Sequence, residues 1–216
     1  SSETERSNSS NQVRLDSFRS KLFDSTLFRL GSANSLDAWK AVGGAKIAVV
    51  ADSEPVSDAL PNSLALTVPS GASGPVGVAN EGFWGIKVSA SSQYNASFFY
   101  RFPEASELSG DATVSLQSID GETLGSATIK LSGSQTTWTQ VFATFTPRTN
   151  AQNTNNTFVV AVDGGAAAGQ TIHFALFSLF PPTFNNRPNG MRTDIADVLA
   201  EMGPKVWRFP GGNNLV

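Results

Sequence analysis

From residue 46 onward, apolar side chains return at every second position in a series of short runs: 46–51, 63–68, 76–79, 84–88, 94–102, 111–117, 126–131, 137–145, 157–162 and 171–179. A period of two puts successive side chains on opposite faces of an extended strand, so each run has an apolar face that another sheet must cover. Turn-forming clusters such as Asp120-Gly121, Ser132-Gly133 and Asp163-Gly164-Gly165 separate the runs, and no helical spacing intervenes. Short strands joined by turns predict a mainly β fold, an antiparallel β-sandwich or jelly roll over residues 36–180. Its expected core takes Leu66, Val88, Phe99, Val114, Val141, Val160 and Phe174 from the apolar positions of the runs.

The two ends have a different pattern. Residues 1–12 are rich in Ser, Asn and Glu without an apolar period, the composition of a disordered tail. Val13, Phe18, Leu22, Phe23 and Leu27 follow at sparse helical spacing and predict a weak amphipathic helix over 13–30, so 1–35 forms a first segment. Beyond Phe180, Pro181, Pro182 and Pro188 make a stiff linker. Asn189 is the expected N-cap of a helix through Met202 that carries Ile195, Val198, Leu199 and Met202 on one face. Asp194 lies in its first turn, where the helix dipole favours a negative charge, and Gly203-Pro204 ends it. A strand over 205–209 follows, so 181–216 reads as linker, helix and strand.

With 216 residues, of which 40% are hydrophobic and 10% aromatic, the chain can fill a sizeable core. A net charge of −3, with Lys and Arg scattered, leaves no basic footprint for nucleic acid or an anionic membrane surface, and no apolar run reaches the ~18 residues that span a bilayer. A neutral polymer is the more natural partner. The absence of cysteine excludes disulfides, zinc-thiolate sites and thiol nucleophiles. The single histidine, His173, stands beside Phe174 in an apolar strand and cannot make a metal site alone, so a structural role is expected. Gly164-Gly165 lacks the Lys-Ser or Lys-Thr of a phosphate loop, and no cofactor is expected. Asn8, Asn95 and Asn155 head N-glycosylation acceptor triplets, and the Ser1 start, without Met or an apolar leader, is what a mature or trimmed chain shows.

The last stretch, Arg208-Phe209-Pro210-Gly211-Gly212-Asn213-Asn214, runs from strand-type residues into a turn. Pro210 cannot donate to a ladder and the glycines admit positive φ, so the turn presents Asn213 at a strand's carboxyl end, where its amide can donate to one hydroxyl and accept from another. An ordinary strand-to-loop turn fits the same residues.

Residues 177–214 as a whole, together with Trp39-Lys-Ala-Val-Gly-Gly, Gly82-Phe-Trp-Gly-Ile-Lys-Val, Phe98-Phe-Tyr-Arg-Phe-Pro and Gly133-Ser-Gln-Thr-Thr-Trp-Thr, resemble fungal α-L-arabinofuranosidases of glycoside hydrolase family 51. The resemblance implies an accessory, carbohydrate-binding-module-like β-domain followed by the first helix-strand step of a truncated (β/α)8 barrel, a fold that needs ~200 or more residues to close. It also implies that Asn213 contacts an arabinofuranosyl unit, with Arg208, Gly211 and Gly212 shaping its loop. The family's substrate-binding Phe-Glu-Asp motif has no match at Leu22-Phe23-Asp24-Ser25, and its catalytic Glu pair lies downstream of the Pro-Gly-Gly-Asn loop, outside this chain. No catalytic residue is therefore assigned. Retaining hydrolysis needs two carboxyl groups about 5–5.5 Å apart, whereas Glu81, Glu104, Glu107, Glu122, Asp194, Asp197 and Glu201 read as solvated surface charge. Resemblance to secreted plant-wall enzymes implies an extracellular protein.

Trp84, Tyr94 and Trp138 are sugar-stacking candidates, with core packing the competing role for Trp84, between Gly82 and Gly85, and for Trp138. Three functions follow. The chain is an arabinofuranosidase-like fragment or remodelled relative, inactive alone, related to hydrolases that release non-reducing-end α-L-arabinofuranosyl residues from arabinoxylan and arabinan. Alternatively it is a stand-alone lectin-like carbohydrate-binding module for plant cell-wall polysaccharide. Thirdly, Ile195, Val198, Trp207 and Phe209 of the barrel remnant serve self-association or dock a catalytic remainder.

Overall fold

The alternation is realised as strands. A computed structural model describes residues 27–28, 36–188, 190–203 and 205–206. Among the described residues eleven strands run in chain order: β1 Leu27–Phe28, β2 Trp39–Val42, β3 Lys46–Ala51, β4 Asn62–Thr67, β5 Pro75–Asn80, β6 Tyr94–Arg101, β7 Ser109–Gln117, β8 Thr123–Ser132, β9 Thr139–Phe145, β10 Thr157–Asp163 and β11 Thr171–Phe180. One sheet has the order β3-β4-β11-β6-β9 with β1 added on β11; the other has the order β2-β5-β10-β7-β8. Every pairing in both is antiparallel, as expected for strands linked by turns.

The inner faces of the two sheets form the core. Tyr94, Ala96, Phe98 and Tyr100 of β6 face Val76 and Val78 of β5, Ala112, Val114 and Leu116 of β7 and Phe158, Val160 and Val162 of β10 in a single apolar cluster. Phe98, Phe174 and Phe177 pack with ring centroids 5.4–5.6 Å apart, and Trp39 closes on Phe177 at 4.8 Å. Along β11 the side chains that enter this cluster are Ile172 and Phe174, then Phe177 and Leu179. The switch from even to odd numbers is made by Leu176, whose φ of 51° sits at a register shift between Ala175 and Ser178. A bulge of one extra residue exchanges the faces of everything after it.

Several expectations need correction. Residues 84–88 form no strand; they lie in a loop whose turn is made at Gly82 and Gly85, both with positive φ. Phe99 is half-buried on the outer face of β6 and Phe98 takes the core position; Val141 is also only half-buried. Leu27 and Phe28, placed in a helix by their spacing, are a strand on β11, and β2 had no counterpart in the sequence pattern. The remainder of the expected tail and helix at 1–26 and 29–35 lies outside the described residues.

The chain divides into two units between Phe180 and Pro181. In the second, a 3-10 turn Phe184–Asn186 precedes helix α1, Thr193–Glu201, in which Asp194 stands in the first turn as expected. The N-cap position belongs to Arg192, not Asn189, and the Arg192 guanidinium grips the Asp194 carboxylate at 2.6 and 3.1 Å. Ile195, Val198 and Met202 of its apolar stripe are exposed. Lys205 and Val206 are not in a strand, and the rest of the expected strand, 207–209, lies outside the described residues.

Val160 is 1% exposed and sits in β10, between β5 and β7. Val160→Asp is expected to abolish soluble folding, since an unpaired buried carboxylate costs enough to consume a stability of ~5–15 kcal/mol. Yield of soluble chain and its melting curve by circular dichroism check this; a cooperative melt near that of the parent contradicts the strand assignment.

Candidate functional site

The loop from β5 to β6 carries two exposed aromatics, Phe83 and Trp84. Trp84 is 86% exposed and Phe83 58%, and their rings meet edge to face, 5.1 Å between centroids at 83°. Such rings are normally withdrawn from water, so what holds them out must lie beneath them.

The loop is tied down at each residue around the tip. Asn80, buried at the end of β5, accepts the Gly82 N–H on its side-chain oxygen at 2.8 Å and starts the turn. The backbone then passes Gly85 at φ 85°, where an added Cβ would lie 2.3 Å from the Thr154 carbonyl oxygen, so the position admits glycine alone. Immediately after it, Ile86 N–H donates to that Thr154 oxygen at 2.7 Å. Asn156, 1% exposed, donates through its amide to the Ile86 and Asn153 carbonyls, both at 2.7 Å. Ile86 and Val88 enter the core, and Ala151 N–H closes on the Val88 carbonyl at 3.1 Å. The Phe83 and Trp84 side chains are thus displayed from a backbone fixed on both sides.

Tyr94, a stacking candidate in the sequence, belongs to this support. Its ring is 3% exposed and stacks on Phe145, so it offers no face to a sugar. Its hydroxyl donates to the Lys87 carbonyl at 2.9 Å and accepts the Ser89 N–H at 3.1 Å. Burial pushes the phenol above its ordinary value, and it stays neutral at physiological pH. The phenol is a strut beneath the loop.

Trp138 sits elsewhere, on the outer face of the β3-β4-β11-β6-β9 sheet. It is half-buried, with its indole N–H donated to the Glu54 carbonyl at 2.6 Å and its ring 5.6 Å from the Arg101 guanidinium carbon. Arg101 pairs with Asp52, whose side chain is fully buried. Ser63 donates to Asp52 Oδ2 at 3.0 Å, and His173 Nδ1 lies 3.0 Å from the same oxygen. Burial by itself would raise the Asp52 carboxyl; the bonds from Arg101, His173, the Glu54 N–H and Ser63 outweigh it and hold the group at about 2. An ionised carboxylate only accepts, so His173 Nδ1 carries the proton toward Asp52. The structural role expected for His173 is met in this polar cluster, which sequence reasoning missed. Its signal was Arg101, a charge inside the aromatic run 94–102.

Glu81, Glu104, Glu107, Glu122, Asp194, Asp197 and Glu201 are all exposed, and Glu81 is paired with Lys40 at 2.7 Å. Asn95 and Asn155 are exposed on β6 and ahead of β10. Asn8, Arg208, Gly211, Gly212 and Asn213 lie outside the described residues.

Residues 11–169 match the sequence family described as a carbohydrate binding domain. Alpha-L-arabinofuranosidase A of Aspergillus kawachii is 41% identical over 186 residues, 86% of this chain and 28% of its own length. The probable counterpart in Aspergillus oryzae is equally similar, 41% over the same shares. The chain thus spans 28% of the length of these curated relatives. Among solved structures, an arabinose-bound α-L-arabinofuranosidase of family GH51 is similar at 51% identity with a TM-score of 0.82, covering 90% of this chain and 32% of that one. An exo-β-agarase shares the fold alone, at 10% identity, a TM-score of 0.54, and 76% and 26% coverage.

The shift at Asp52 fixes the sign of the acid response. A carboxyl with a folded pKa of about 2, below the 3.8 of a free aspartate, contributes stability that is complete above pH 3.8 and fades as pH falls through 2. Denaturant unfolding should hold a steady midpoint from pH 7 to about 4 and lose stability toward pH 2. Asp52→Asn, which leaves Arg101 buried without its counter-charge, should cost about 3–5 kcal/mol at pH 7 and flatten that acid limb.

Proposed function

Because the chain belongs to the carbohydrate-binding domain family, we propose that it is the non-catalytic, sugar-binding part of an arabinofuranosidase-like protein and that it binds neutral plant-wall glycan through Phe83 and Trp84. The observation that carries this reading is the exposed pair of rings on an anchored loop. A sugar ring has C–H faces that lie against an aromatic plane, and a support ordered before binding removes part of the entropy that association costs. The similarity to arabinofuranosidases favours arabinofuranosyl-bearing polymers, arabinoxylan and arabinan, as the glycans met, and an extracellular setting.

The chain does not cleave them alone. Hydrolysis needs one carboxyl held protonated near neutrality, and the single buried acid among the described residues, Asp52, is held the opposite way. Asn213, with Arg208, Gly211 and Gly212, would add an arabinofuranosyl contact only where the remaining groups of a barrel site are present; one amide hydrogen bond, worth about 0.5–1.5 kcal/mol, is too weak to hold a sugar. The apolar residues exposed on α1 support a second role in self-association or docking of a catalytic remainder. Light scattering that finds a strict monomer at every concentration removes it.

Calorimetric titration with arabinoxylan and arabino-oligosaccharides tests the main reading. Trp84→Ala should weaken binding about tenfold, the size of an aromatic contact of ~1.4 kcal/mol, with the melting temperature unchanged because the side chain is almost wholly exposed. Affinity equal to the parent, or turnover of an aryl α-L-arabinofuranoside by the purified chain, contradicts it.

A further inference from the structure

A third exposed aromatic stands on β9, the strand paired with β6 at the edge of its sheet. β9 is an edge strand that turns Ala143 and Phe145 into the core, and on its other face Phe142 is 68% exposed. Register identifies its neighbours. Ser97 of β6 lies opposite Phe142, Asn95 lies opposite Thr144, and Asn95 also lies opposite Phe180 of β11. Residues directly opposite share a face, so Asn95 has Thr144 on one side, half-buried Phe180 on the other and Phe142 on the diagonal. Diagonal neighbours are ~7–8 Å apart, within reach of an aromatic ring.

Asn95-Ala96-Ser97 is an acceptor triplet for N-linked glycan. Thr144 Oγ1 donates to Asn95 Oδ1 at 2.9 Å, which fixes the amide by its oxygen. The nitrogen Nδ2, the atom a glycan is attached to, has no bond among the described residues. Asn95 is exposed although β6 is an inner strand of its sheet, so attachment requires no strand to open.

We propose that Asn95 carries an N-linked glycan whose first N-acetylglucosamine rests on the Phe142 ring, with Phe180 flanking it. The donor is an oligosaccharide activated as a lipid pyrophosphate. The new bond joins Nδ2 to the sugar C1, the C1–O bond to the pyrophosphate breaks, and the amide proton leaves with the lipid pyrophosphate. The glycan withdraws Phe142 from water and occupies this corner of the outer face. The inference rests on the extracellular reading, so its test supplies the export signal and does not depend on where the natural protein resides.

The full chain, with Asn8→Gln and Asn155→Gln to remove the other two acceptors, is secreted from yeast behind an added signal peptide and also made in bacteria, where no glycan is attached. After endoglycosidase trimming, peptide mass mapping should find a single N-acetylhexosamine on the peptide bearing Asn95. The trimmed yeast protein should melt about 2–4 °C above the bacterial one, and Phe142→Thr, which keeps a residue suited to an edge strand, should reduce that difference to under a third. An unmodified Asn95 overturns the proposal. An occupied Asn95 whose stabilisation is the same with Phe142 and with Thr at 142 overturns the contact with the ring.

Discussion

Two loops are joined by the buried amide of Asn156, and the presentation of the exposed aromatics depends on that junction. A single Nδ2 group holds the carbonyls of Ile86 and Asn153, while the Ile86 N–H reaches the Thr154 carbonyl and Gly85 leaves the space for it. Buried amides are costly unless bonded, so the two loops are held in the one arrangement that satisfies this group. Tyr94 reinforces it from below through Lys87 and Ser89. The energy that keeps Trp84 in water is supplied by Ile86, Val88, Tyr94 and Asn156, all of which are buried.

The polar cluster around Asp52 solves a different problem with the same rule. Asp52 lies just past the end of β3 and is answered by Arg101 from β6, His173 from β11 and Ser63 from β4, so it fixes the segment after β3 onto three strands of one sheet. Trp138 covers the guanidinium and is bonded to Glu54 in that same segment. Its ring is therefore committed to structure, unlike that of Trp84.

Much of this was legible in the alternation of apolar residues, because a period of two leaves a sandwich as the way to bury the inner faces. The sequence could not show which of Phe98 and Phe99 faces in, since two adjacent aromatics fit either register; Tyr94, Ala96 and Tyr100 decide it once β6 is paired. It could not show the bulge at Leu176, because nothing in Ala175-Leu176-Phe177 marks a positive φ at leucine. The run 84–88 read as a strand because Trp, Ile and Val are strand residues, while the two glycines that turn the backbone carry the deciding information. Trp84 was recognised as a stacking candidate from residue type. Its exposure, and the burial of Tyr94, depended on tertiary bonds from Asn156, Thr154 and Lys87 that no local pattern contains.

Resonance assignment of the chain followed by titration with an arabino-oligosaccharide tests the central claim most directly, since the indole N–H of each tryptophan reports its own surroundings. The account predicts that chemical-shift changes concentrate on residues 82–86 and on the Trp84 indole, with the Trp138 indole and the Asp52, Arg101 and His173 resonances unmoved. Changes centred on Trp138 and His173, with the Trp84 indole silent at saturation, would contradict it.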